Sequence, residues 1–126
     1  MADERHDGDG WLVLPFPDQR SFEAWLDAHH ETEPGLWVKL AKKGRGIVSV
    51  TFDEVLETAM CFGWVDSRMH RVDDDYYVLR FQPRRPRSNW TEGNQRLAER
   101  LAGEGRMRPA GLAAIEAARA AGRWTV

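Results

Sequence analysis

At 126 residues the chain fits one domain with its own core, and 42% hydrophobic residues with six tryptophans exclude a disordered chain. The net charge of −2 hides an asymmetry: residues 1–33 carry nine acids against two bases, residues 34–126 sixteen bases against eleven acids. One cysteine, Cys61, excludes an internal disulfide framework; the acidic start MADERHDGDG is unlike a secretory leader; and no apolar run nears the roughly 20 residues that cross a bilayer, so the expectation is a cytoplasmic protein without membrane insertion.

In chain order, residues 1–10 read as a flexible acidic tail and 11–126 as a single domain. WLVLPFPD is a short apolar run stopped by two prolines, an edge strand or an extended lead-in. Ser21 is placed to cap a helix carrying Phe22, Trp25, Leu26 and His29 on one face. EPG ends it, and LWVKLAKK alternates as a strand, Leu36, Val38 and Leu40 against Trp37, Lys39 and Ala41. GRG makes a loop, followed by a short extended piece, IVSV. Thr51 with Glu54 forms a capping-box signature ahead of a helix with Phe52, Val55, Leu56 and Ala59, stopped at Gly63. WVDSRMHR and YYVLRF form a hairpin around VDDD. Ser88 then caps a third helix with Leu97 and Leu101, and Pro109 opens a fourth with Leu112 and Ile115 inward. The expected fold is α+β: a small, mainly antiparallel sheet of about three to four strands, with about four helices packed mostly on one side.

Regular pleating of the hairpin sets Val65, Ser67 and Met69 on the core face with Tyr77, Leu79 and Phe81. A three-residue connection at 72–74 then brings Asp66 opposite Arg80, a cross-strand ion pair flanked by Trp64. It is read either as a structural pair or as a device by which Asp66 orients Arg80 toward a ligand.

Few residues offer chemistry. Cys61, in the last turn of a helix among apolar neighbours, has what raises a thiol pKa, the opposite of an activated nucleophile. No serine sits in a nucleophile elbow, the histidines lack metal-ligand spacing, and DDD at 73–75 lacks the rest of a calcium loop, so no metal and no cofactor is expected. The segment RFQPRRPRSNW stands out. Its prolines hold Arg84, Arg85 and Arg87 extended beside a helix start, an electropositive mouth suited to carboxylate, phosphate or sulfate, with Trp90, like Trp37 and Trp64, as a flat stacking wall. The bland alternative is a solvated basic loop with Trp90 in the core. Single-stranded nucleic acid is disfavoured by the pI of 6.1 and the shortness of the basic run.

The blocks GLWVKLAKKG, TFDEVLETAMCFGWVDS, LRFQPRRPRSNWTEGN, GRMRPAG and AGRW, in that order over about residues 20–124, resemble the bacteriocin-protection family, also called YdeI-like or OmpD-associated. FGWVDS and PRRPRSNW are the specific parts; Ser67 departs from an expected glycine and Thr91 from a common serine. The resemblance implies a role in bacterial tolerance of bacteriocins and cationic antimicrobial peptides, with no established reaction or cofactor to transfer.

The expectation is therefore a small binding protein holding an anionic or mixed-charge small molecule or peptide among Lys39, Trp64, Asp66, Arg80, Arg84, Arg85, Ser88, Trp90 and Asn94. The helix start before Asn94 is expected to receive an oxyanion. An enzyme opening a small antibiotic or peptide with Asp66 as base or anchor is one alternative, and a single-stranded nucleic-acid binder through residues 80–90 is another. A homodimer is compatible with the apolar faces.

Overall fold

In the computed structural model residues 4–126 are described, so the first three residues of the expected tail lie outside the described residues. Eight elements follow one another: β1 (Val13–Pro15), α1 (Gln19–His29), β2 (Leu36–Ala41), α2 (Phe52–Cys61), β3 (Trp64–Arg71), β4 (Tyr76–Pro83), α3 (Glu92–Gly103) and α4 (Pro109–Ala120). The sheet runs β1-β2-β4-β3. β1 and β2 pair in parallel with α1 as their crossover, and the other two pairings are antiparallel. The chain is an α+β domain with a mostly antiparallel four-stranded sheet and four helices.

Period-two alternation in β2 gives the sheet two unlike faces. Leu36, Val38 and Leu40 join Leu79 and Phe81 against the helices, in a core with Phe22, Leu26, Val55, Trp64, Leu101 and Ile115. Each such side chain, fully buried, contributes roughly 1.5–3 kcal/mol. Trp37, Val13 and Val78 form a smaller cluster on the outer face, with Trp11 packed against it. α2 lies at the centre of the helical layer, touching α1, α3, α4 and β3.

The caps show which local signals decide the helix starts. Thr51 and Glu54 form the reciprocal capping box on α2. At α1 the cap is Asp18, which accepts from the Ser21 amide, not Ser21 itself. At α3 it is Thr91, accepting from the Asn94 amide, so Ser88 belongs to the preceding turn. In both places a second capping residue stood three positions from the predicted one, and hydrophobic spacing alone did not choose between them. α4 opens on Pro109 as expected, but Gly111, Ile115 and Ala118 face inward and Leu112 is 47% exposed. IVSV forms no strand; the Val50 amide donates to the Phe16 carbonyl and the Ala41 amide to Ser49 Oγ. Gly63 takes φ +74° after α2, and a Cβ there would lie 2.8 Å from the Ala110 carbonyl oxygen, so glycine both turns the chain and lets α4 approach.

The hairpin differs from regular pleating. β3 bulges between Asp66 and Arg68, setting Asp66 opposite Phe81 but Arg68 opposite Arg80 and His70 opposite Val78, and residues 72–75 form the connection. The extra residue, Ser67, flips the alternation. Trp64 and Asp66 therefore share the helix face with Phe81, while Val65, Arg68 and His70 share the outer face with Arg80. The expected Asp66–Arg80 pair does not form.

Candidate functional site

Pro83 ends β4, and with Pro86 it denies helix to the arginine segment. The Arg84 amide donates to the Gly63 carbonyl at 2.8 Å and the Ser88 amide to the Arg85 carbonyl at 2.9 Å, which folds the segment into a tight loop. Arg84 turns inward. Its guanidinium carbon lies 3.8 Å above the Trp90 ring, and Nη1 donates to the Asn89 carbonyl at 3.1 Å. Arg84 Nε and Ser88 Oγ are both out of solvent and have no hydrogen-bond partner among the described residues. Burial pushes the Arg84 pKa down to about 10, against the pull of the nearby Asp66 charge. Arg84 is still a cation at neutral pH, a partly desolvated charge that an arriving anion relieves.

Beneath it, Trp90 is buried, with its ring centroid 5.3 Å from that of Trp124. Gln95 fixes this floor. Fully buried in α3, it donates to the Trp90 carbonyl and Thr125 Oγ1 and accepts from the Thr125 and Val126 amides. A glutamine on the same helical stripe as Ala98 and Leu101 was the sequence signal for this clamp, and it was not singled out.

The opposite wall is Trp11, expected only as part of an edge strand or extended lead-in. Its ring sits against Gly35, where a Cβ would come within 2.1 Å, and the Arg80 guanidinium carbon lies 3.8 Å over it. Between the walls is a cleft of about 620 Å3 lined by Trp11, Pro34, Arg80, Arg84, Arg85 and Ser88, with Val65 and the loop prolines supplying apolar surface.

Of the nine expected residues, Arg80, Arg84, Arg85 and Ser88 meet in this cleft. Trp64 and Trp90 are core residues, 2% and 5% exposed, so neither forms an open stacking wall. Asp66 is exposed and, with Trp64 and Asn94, borders a crevice of about 50 Å3 on the other side of Arg84. That volume suits a water molecule or two, each about 30 Å3, and not a substrate. Lys39 lies on the outer face further along β2, its Nζ 4.7 Å from the centre of the Tyr76 ring. The start of α3 does not line the cleft; Thr91 caps it and Glu92 occupies its first turn.

The partner of Arg80 comes from the segment read as a tail. Asp9 Oδ2 accepts from Arg80 Nε at 3.1 Å and from the Trp37 indole at 3.0 Å, while Oδ1 accepts from the Trp11 amide at 2.9 Å. His6 stacks on Trp37 with centroids 4.0 Å apart, and Arg5 bridges to Leu12. From Glu4 onward the leader is thus folded back on the sheet, where a free tail was expected. Burial pulls the Asp9 carboxyl upward, but the hydrogen bonds from the Trp11 amide, Arg80 and Trp37 outweigh it and hold it below its usual range.

Another hollow, about 380 Å3, lies beside Cys61, Thr58, Arg106 and Arg108. Burial pushes the Cys61 thiol up, and the two arginines there already meet carboxylates, Arg106 with Glu57 and Arg108 with Glu23. Among the described residues no three of His, Cys, Asp and Glu gather as a metal site, and no helix is long and apolar enough to cross a membrane.

A family model described as a domain of unknown function (DUF8412) matches residues 14–114, most of the chain, and the chain belongs to that family. No curated protein and no solved structure matches it.

Proposed function

We propose that this member of the DUF8412 family is a small binding protein that holds an anionic or mixed-charge small molecule or peptide in the cleft between Trp11 and the arginine loop. The observation that carries the reading is the pair of buried polar groups without a partner among the described residues, Arg84 Nε and Ser88 Oγ, in residues lining that cleft. Arg84 and Arg85 form no ion pair among the described residues, so their charge is free for a ligand. Trp11, Val65 and the prolines offer surface for an apolar portion. The resemblance to bacteriocin-protection proteins supports a role in tolerance of antimicrobial peptides, and the single cysteine supports a cytoplasmic site of action.

Calorimetric and tryptophan-fluorescence titrations with citrate, inorganic phosphate, nucleotides, single-stranded oligonucleotides and acidic or cationic peptides test the proposal. Saturable binding of at least one anionic class, weakened by Arg85→Ala, is the expected result. Oligonucleotide binding that falls steeply with added salt redirects the reading to nucleic acid. No saturable response from any class sinks the proposal.

A further inference from the structure

Arg80 contributes to two places at once. It lines the cleft, and it also donates from Nε to Asp9, alongside the Trp37 indole and the Trp11 amide. These three donors converge on both oxygens of one carboxylate. Only one of them is charged, so the set balances a single negative charge, and two of them are neutral N–H groups, which suits a planar carboxylate better than a phosphate dianion. Solvent reaches the pair, the Asp9 and Arg80 side chains being 22% and 23% exposed, while Trp37 is 1% exposed, so exchange begins at Arg80 and the indole becomes accessible as Asp9 leaves.

Resting on the cleft reading, we infer that Arg80 Nε, the Trp37 indole and the Trp11 amide are the carboxylate subsite of the cleft. Asp9 is its resident occupant, displaced when a ligand carboxylate enters. The ligand class is thereby narrowed to acids carrying a carboxylate for this subsite and a further anionic group for Arg84 and Arg85, such as a polycarboxylic acid or an acidic peptide. The leader then acts as an internal competitor. Its backbone turn is held independently of the Asp9 side chain, since the His6 amide donates to the Trp11 carbonyl and the Val13 amide to the Glu4 carbonyl. Release of the side chain therefore leaves the turn itself in place. A single carboxylate of the chain's own sets a threshold that a monovalent acid meets poorly and a polyacid, gripped also by Arg84 and Arg85, passes.

Asp9→Asn separates this from a purely structural role. The amide oxygen still accepts from the Trp37 indole, while the charge facing Arg80 is gone. Citrate titrated into both full-length proteins is expected to bind the variant about three- to tenfold more tightly, with a smaller gain for inorganic phosphate. Citrate affinity that is unchanged or reduced in the variant, or no citrate binding by either protein, overturns the inference. Citrate binding by Asp9→Asn that is insensitive to an added Arg84→Lys or Arg85→Ala overturns the cleft reading while leaving the subsite standing. Should Asp9→Asn fail to fold, the Asp9 carboxyl-carbon NMR signal of the natural chain decides: saturating citrate at neutral pH is expected to shift it toward that of a solvated aspartate, and an unaltered signal overturns the inference.

Discussion

Arg100, Arg106 and Arg108 each end on a carboxylate. Glu57 accepts from Arg100 at 3.1 Å and from Arg106 at 3.0 Å, Glu104 sits beside both, and Arg108 meets Glu23 and Asp27. Arg84, Arg85 and Arg87, just as close in sequence, make no ion pair among the described residues, and Arg84 is partly withdrawn from water as well. The first group ties the end of α3 and the loop before α4 to α1 and α2. The second gains nothing comparable from the fold it belongs to. Arginine density therefore says little about a site; what matters is whether the fold has already answered the charge.

The largest expected effect is on the unanswered side. Arg84→Ala removes a half-buried, forked donor and is expected to weaken anion binding about ten- to a hundredfold, the equivalent of about 1.5–3 kcal/mol for a charged hydrogen bond, in calorimetric titration. Equal affinity before and after would break the distinction between the two groups. Next is Gly35→Ala, whose methyl collides with the Trp11 ring; an unfolding midpoint lowered by about 1–3 kcal/mol in urea, together with weaker binding, is expected from the displaced wall. Glu57→Ala tests the answered side. Losing two partly exposed pairs is expected to cost about 1 kcal/mol of stability by urea titration, with affinity unchanged. Smallest is Ser88→Ala. Removing a buried hydroxyl that has no partner is expected to change stability by about 0.5 kcal/mol or less, in the favourable direction, while binding falls severalfold; a clear loss of stability would mean the hydroxyl serves the fold.

The fold was largely legible because its signals are local. Alternation in LWVKLA, the Thr51–Glu54 box and Pro109 each act within a turn or a strand, and the elements they announce are present. The arginine loop was legible only in part: its two prolines deny it helix, but it closes in a turn from the Ser88 amide to the Arg85 carbonyl where an extended run was expected. What escaped notice depends on distant partners. Asp9 meets Arg80 seventy-one residues away, and Gln95 meets the chain end thirty residues on. Trp11 finds its seat through the missing side chain of Gly35. The hairpin register failed on one inserted residue, because pleating has no memory of a bulge and every position beyond it changes side.

That bulge makes β3 a strand of two halves with opposite allegiance. Ahead of it Trp64 and Asp66 turn to the helical layer and Val65 away; beyond it Arg68 and His70 turn to the leader's side and Met69 shares the face of Leu79, with Ser67 as the pivot whose hydroxyl donates to Gln82. Replacing Ser67 should be mild, and excising it should be tolerated too: Asp66 already lies opposite Phe81 and Arg68 opposite Arg80, so the shortened strand pairs regularly with each side chain on its present face, losing the local twist and the bond to Gln82. What that position supplies is bend, not register.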